Sequence, residues 1–346
     1  MATLRELADI TGYSIATISR VLNEDDTLKV TDHTRNLILE AAGRVAYPNR
    51  YNIERKADVK EHLKLGVVEM ATPRESEKDP YYLYFKNNLE KCCFSNGVET
   101  FAMQYDARER CYRSAANREL DGILAIGQFC EEQIEAMRRC TSQIVFLESS
   151  PFPEEFCSVI PDYEVGVRQG VDYLIAQGHR KIVFVGPEFS TDSTCRQVPE
   201  PRRKCFSEYL SQCGEDMDGI LINTESQGAD VTENIIEYVR GFKEEEERPT
   251  AFFAYNEPTA LGVLRALQIA GYQVPQDFSI MSYNDTVLAT VTRPQLSGIR
   301  IHIEEMVKNA VWLMDRINRG QDEIPLKILV PSTLVIRESV KPVYPF

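Results

Sequence analysis

The side chains able to act on a partner molecule fall into two groups, one local and one dispersed. The local group is Ser14, Ile15, Ala16, Thr17, Ser19, Arg20 and Asn23, in one short stretch. An arginine on a helix face can pair with guanine O6 and N7, and Ile15 and Ala16 can meet thymine methyls. Ser14, Thr17, Ser19 and Asn23 suit phosphate oxygens, which fix register without reading sequence. The dispersed group sits at the ends of apolar runs. Glu148 ends IVFLE, Asn256 ends AFFAYN, and Asn284 and Asp285 end SIMSYND, while Arg202 starts the amphipathic stretch after residues 181–187. Carboxylates, amides and an arginine fork are groups that bind sugar hydroxyls. Tyr81 and Tyr82, after Asp79-Pro80, offer an aromatic platform for a sugar face.

Catalytic chemistry has no comparable carrier. No Walker A loop, GxGxxG turn, GxSxG elbow or HExxH helix is present. His33, His62, His179 and His302 are scattered, and His179 in GHRKI reads as a helix-end residue rather than a general base. The nine cysteines show no zinc-finger spacing and read as buried or free thiols of a reducing cytosol, the alternative being a redox-sensing Cys92-Cys93 pair, for which nothing else in the sequence speaks. Neither a catalytic residue, a metal nor a cofactor is expected.

The local group needs helices. Leu4 to Ile10 reads as one helix, Gly12 permits a sharp turn, and Ser14 is a suitable N-cap for a second helix to Leu22. Numbered from Leu4, the fifth residue is Ala8, the ninth Gly12, the fifteenth Ile18 and the eighteenth Val21. A small residue where two helices cross and a glycine at the turn define a helix-turn-helix, with Leu7, Ile10, Ile18, Val21 and Leu22 as its core. Its second helix suits the major groove. Thr31 is expected to cap a third helix through Ala46, with Leu37, Ile38, Ala41, Ala42 and Val45 as its apolar stripe.

The dispersed group needs a different scaffold. From Lys64, short apolar runs alternate with amphipathic stretches. Strands are expected at 65–70, 100–104, 122–126, 144–148, 181–185, 219–222, 251–255 and 278–282, and helices at 82–96, 165–177, 231–243, 260–270 and 304–319. This alternation predicts parallel βαβ units, too many for one sheet, and hence two lobes. No apolar run approaches a membrane span of ~18 residues.

The net charge of −14 looks wrong for a nucleic-acid binder until it is divided. Residues 1–60 carry nine basic and nine acidic side chains, and the remainder carries 30 and 44. A neutral head on an acidic body favours docking on DNA through the head alone.

The segment ATLRELADITGYSIATISRVLN, with the core Ser14-Ile15-Ala16-Thr17-Ile18-Ser19-Arg20-Val21-Leu22-Asn23, strongly resembles the head of the LacI/GalR repressor family. The resemblance extends over nearly the whole chain. It implies an α/β protein: an all-α helix-turn-helix head at residues 1–48, a hinge at 49–62, and a two-lobed periplasmic-binding-protein-like body with parallel sheets at 63–340. The lobes are expected to comprise 63–161 with 291–322, and 162–290 with 323–340. Thr3 joins the DNA-facing set. Tyr47-Pro48-Asn49-Arg50 matches the family's linker, but Arg55 stands where a wedging leucine belongs, leaving Ile53 as the nearest apolar substitute. By alignment Glu148, Arg202 and Asn256 match sugar-contacting positions. Asn284 stands where an aspartate is usual, and Asp285 matches the acid after it. The implied protein is a cytoplasmic homodimeric repressor of a pseudo-palindromic operator with a sugar effector, galactosides being the expected class, and no membrane partner. The rival readings are a cytosolic sugar-binding or sugar-processing α/β protein and a secreted solute-binding protein.

Overall fold

A computed structural model describes residues 4–22, 30–31, 34–35, 37–38, 41–42, 63–70, 80–114, 119–191, 196–224, 229–242, 248–321 and 324–343. The chain divides into two compact units, Met1–Leu63 and Lys64–Phe346.

In the first unit, α1 spans Leu4–Thr11 and α2 spans Ile15–Leu22. Gly12 stops α1: at φ +73° it occupies the left-handed region, and its N–H still reaches the Ala8 carbonyl at 2.9 Å. Ser14 caps α2, its Oγ accepting from the Thr17 N–H at 3.1 Å. Thr31 does the same for the next helical residues, accepting from the Thr34 N–H at 3.2 Å. Leu7, Ile18, Val21, Leu22, Ile38, Ala41 and Ala42 form the core. Ile10, expected there, is 56% exposed. Two residues past Ala8 rotate about 200° around a helix, so the face carrying Leu4, Leu7 and Ala8 leaves Ile10 outside. The expected site residues Thr3, Asn23, Asn49, Arg50 and Ile53, with the rest of the hinge and the end of the third helix, lie outside the described residues.

The second unit holds two sheets. The first joins β1 (Lys64–Glu69), β2 (Glu99–Asp106), β3 (Cys111–Ser114), β4 (Gly122–Ile126), β5 (Ile144–Leu147), β6 (Cys157–Asp162) and β14 (Lys327–Pro331), in the order β14-β6-β5-β4-β1-β2-β3. The second joins β7 (Lys181–Gly186), β10 (Asp218–Asn223), β11 (Ala251–Ala254), β12 (Ser279–Asn284), β13 (Ser297–Arg300) and β15 (Thr333–Val335), in the order β10-β7-β11-β12-β13-β15. Phe189–Thr191 (β8) and Gln197–Pro199 (β9) form a separate antiparallel ribbon. Every residue of β4, β5, β11 and β12 is buried, as expected of parallel strands covered on both faces. The covering helices are α3 (Pro80–Ser95), α4 (Glu131–Arg138), α5 (Tyr163–Ala176), α6 (Pro201–Leu210), α7 (Ala229–Arg240), α8 (Glu257–Ile269), α9 (Leu288–Val291) and α10 (Ile303–Asn318). Gly166 and Gly170 let α5 lie directly on Tyr283, Met281 and Phe253, where any Cβ would collide.

The chain passes between the sheets after β6, after β13 and after β14. The last two crossings differ from the expected ones at 291 and 323. β13 pairs with β12, and β14 pairs with β6, which moves the crossings to just after Arg300 and Pro331. Both strands are short and weakly patterned, and only their hydrogen-bond partners assign them. Among the described residues, no helix is long and apolar enough to cross a membrane.

Candidate functional site

Two places carry the singled-out side chains. In the first unit, the outer face of α2 presents Ile15, 46% exposed, beside exposed Ala16 and Arg20. Ser14 and Thr17 hydroxyls are 2.8 Å apart at the start of this helix, and Ser19 is half-buried. The buried residues Ile18, Val21 and Leu22 fix the opposite face. The result is a short helix with one basic group, Arg20, in its last turn.

In the second unit, the polar residues separate into those that meet and those that do not. Glu148 follows β5 in a left-handed conformation, φ +74°, which turns it off the strand end. The buried Tyr81, in the first turn of α3, donates its hydroxyl to Glu148 Oε1. Tyr163 opens α5 at the first crossing. Burial, then the Glu148 charge, holds its hydroxyl well above the ordinary tyrosine range, while Arg202 opposes the shift. Arg202, at the start of α6, stands over the rings of Tyr163, Tyr255 and Tyr283, at 5.2, 4.8 and 5.6 Å from their centroids. Its Nε donates to Glu200 Oε1 at 2.7 Å and its Nη1 to the Tyr255 carbonyl at 2.9 Å. Burial works against this guanidinium's charge, but Glu200 and the tyrosine hydroxyls more than restore it. Nη2 makes no hydrogen bond among the described residues. Arg202 therefore offers one pre-aimed donor group where the sequence suggested an open fork.

The other expected residues have local duties. Asn256 is 2% exposed and caps α8, its Oδ1 accepting from the Thr259 N–H at 3.0 Å. Asp285 is enclosed by arginines: Oδ2 lies 2.7 Å from Arg300 Nη2 and Oδ1 lies 2.6 Å from Arg337 Nη1. That clamp ties the residue after β12 to the last residue of β13 and to a residue just beyond β15. Asn284, at φ +94°, borders an open cavity of about 340 Å³ with Tyr84, Asn88, Arg300 and His302, and its buried Oδ1 has no hydrogen-bond partner among the described residues. Tyr82 is half-buried and stacks edge-on against Tyr81 at 5.6 Å. Tyr81 is the one whose hydrogen bond to Glu148 places it in the cluster.

Tyr163, Tyr255, Tyr283 and Glu200 were not anticipated as site residues. Tyr255 and Tyr283 immediately precede the asparagines chosen from the sequence. Neighbouring positions at a strand end point in different directions, so each tyrosine meets Arg202 while the asparagine beside it turns elsewhere. Glu200-Pro201 did carry a signal, since proline at the first helical position marks the preceding residue as the cap. His179, buried to 1% exposure, bonds Thr250 Oγ1 through Nδ1 at 2.7 Å, and burial lowers its pKa to about 4. It is a packed helix-end residue. The Cys93 thiol is pushed up to about 12 by burial, which makes it unreactive.

These two constructions recur together in known proteins. A model of the periplasmic binding protein-like domain matches residues 171–340. The HTH-type transcriptional regulator GalR of Streptococcus thermophilus is 32% identical over 345 residues, 99% of this chain and 100% of that one. The HTH-type transcriptional repressor MelR of Bacillus subtilis is 28% identical, covering 98% of this chain and 97% of that one. Among solved structures, the lac repressor dimer bound to operator and the anti-inducer ONPF has a TM-score of 0.60 at 22% identity, covering 98% of this chain and 99% of that chain. That likeness establishes the fold. The relatives are transcriptional regulators, not enzymes, and this chain belongs to the LacI/GalR family of HTH-type transcriptional regulators.

Proposed function

We infer that the protein is a sequence-specific repressor of a carbohydrate-utilisation operon, released or retained on its operator by a small neutral sugar, with galactosides as the favoured class. The observation that carries this is the pairing of an exposed Ile15-Ala16-Arg20 face on α2 with a partly buried polar cluster, Glu148, Tyr163 and Arg202, whose members come from both sheets of the body. Similarity supports both halves. A regulator named GanR and two named GalR are among the relatives, and a CelR–cellobiose complex shares the fold at a TM-score of 0.62. In this reading residues 1–48 dock on DNA, 49–62 connect, and 63–340 sense the sugar and dimerise. A homodimer places one head on each half of a pseudo-palindromic operator. Sugar binding alters the relation between the two sheets, so operator and sugar affinities are reciprocally coupled.

The experiment is an operator selection from randomised duplexes, followed by gel-shift titration of the winner with a panel of pyranosides. A symmetric consensus and a sugar-dependent shift in affinity are expected. An enriched pool without symmetry, or affinity that no sugar changes, would refute the reading. A fragment from residue 60 onward should fold, raise its melting temperature with the same sugar, and bind no DNA.

A further inference from the structure

Glu200 is 3% exposed and divides its two oxygens between two duties. Oε2 accepts from the Arg203 N–H at 2.8 Å, capping α6, and Oε1 accepts from Arg202 Nε at 2.7 Å. Capping alone does not call for this residue, because serine, threonine, aspartate or asparagine caps as well without burying a glutamate. An isolated buried carboxylate is strongly disfavoured, and a paired one is tolerated only where its partner's geometry is good. The pairing with Arg202 therefore explains the glutamate, and it has a consequence for whatever meets Arg202.

Arg202 reaches the cluster with its charge already matched. Tyr163, Tyr255 and Tyr283 surround the guanidinium, and Glu200 and the Tyr255 carbonyl take Nε and Nη1. Only Nη2 is left for a ligand among the described residues. Glu148 adds a negative charge beside Tyr163. The neighbouring Arg203 turns its Nη1 to the Gly186 carbonyl at 3.2 Å and faces the charges of Glu188 and Glu200. Among the described residues, a phosphate or carboxylate here meets a guanidinium already matched by Glu200 and the negative charge of Glu148 nearby, whereas a hydroxyl can accept from Nη2 with no charge to balance.

We propose that Glu200 is a positioning residue that sets the ligand class of this site: it aims and neutralises Arg202, so the cluster accepts an uncharged hydroxyl-bearing pyranoside and rejects its phosphorylated counterpart. This rests on the sugar-effector reading above. The test is calorimetric titration of the full-length protein with methyl β-D-galactopyranoside and methyl β-D-glucopyranoside, and with the 6-phosphate of each. The wild type should prefer a neutral sugar by about a hundredfold. Glu200→Gln keeps an acceptor for the Arg203 N–H but releases the Arg202 charge, so the preference should fall about tenfold through a gain in phosphate binding. Glu200→Asp retains the charge and should retain the preference, whatever it loses in affinity. A merely structural role would lower both sugars together in Glu200→Gln and leave their ratio unchanged, which overturns the proposal. If Glu200→Gln melts below the titration temperature, Glu200→Ser, which can still cap α6 but carries no charge, decides: a fallen preference supports the proposal and an unchanged one overturns it. A wild type that binds the neutral sugars no better than the phosphates overturns it as well. A wild type that binds none of the four overturns the effector reading itself, and this proposal with it.

Discussion

The two arginines singled out by the sequence, Arg20 and Arg202, stand in opposite settings. Arg20 is exposed on an eight-residue helix whose other face rests on a core of seven side chains. Arg202 has a side chain only 15% exposed, matched by Glu200 and ringed by three tyrosines that come from positions 163, 255 and 283. The first is arranged by neighbours in sequence and leaves its desolvation to the moment of binding. The second has been desolvated in advance by folding, and it needs the whole unit to be in place. A surface reader tolerates change around it and loses only its own contact. A buried anchor loses its support when any partner is removed.

The largest effect should therefore come from Arg202→Ala. Removing one partner of a buried pair leaves Glu200 enclosed and uncompensated, a destabilisation of about 3–5 kcal/mol. Thermal denaturation should show the second unit melting earlier, and the sugar response in gel shift should vanish. Arg203→Ala, which loses only one bond to a carbonyl, is the matched control. If Arg202→Ala still responds at the wild-type sugar concentration, the cluster is not the sensing site.

Acid should expose the same asymmetry next. The His179 pKa is lowered from 6.5 to about 4 in the folded protein by burial. Above pH 6.5 neither state carries the proton. Between pH 6.5 and 4 the unfolded chain takes it up and the folded one does not, so stability falls as pH falls, by about 3 kcal/mol in all. Denaturant titrations of the fragment from residue 60 at pH 7 and pH 4.5 should show this slope. His179→Gln should flatten it, and an unchanged slope would remove His179 as its source.

In the head the effects are smaller and confined to the partner. Arg20→Ala should weaken specific operator binding by about 1–3 kcal/mol and relax base preference at one position in each half-site, with the melting temperature unmoved. Unaltered preference in a randomised-operator selection would exclude a base contact. Ser14→Ala should be the mildest, about 1 kcal/mol from loss of the cap on the Thr17 N–H. Circular dichroism of the isolated head would record it, and a loss comparable to that of Arg202→Ala would contradict the division drawn here.

Much of the body's architecture can be read from the sequence, but little of the site. The strand at Gly122–Ile126 and the helix near Tyr163–Ala176 follow from an uninterrupted apolar run and from a helical repeat. The setting of Asp285 does not. Asn256 caps a helix through Thr259, three residues on, whereas Asp285 is held by Arg300 and Arg337, which strand pairing brings to it from elsewhere in the chain. Tyr81 and Tyr82 make the same point at one residue's distance, since the rotation of α3 alone turns Tyr81 onto Glu148.

What the amino-acid order fixed unaided is the head and the alternation of the body. The head's helices are spelled out within some twenty residues, because Ala8, Gly12, Ser14 and Ile18 act on chain neighbours through helical geometry and capping. The alternation of apolar runs with amphipathic stretches likewise fixes a parallel α/β body. What required the folded chain is the pairing of β13 with β12 and of β14 with β6, and the meeting of Glu148, Tyr163, Glu200 and Arg202. Strand pairing is decided by hydrogen bonds between segments well separated in the chain. Charges so placed find one another only when hydrophobic burial has already brought their strands into register.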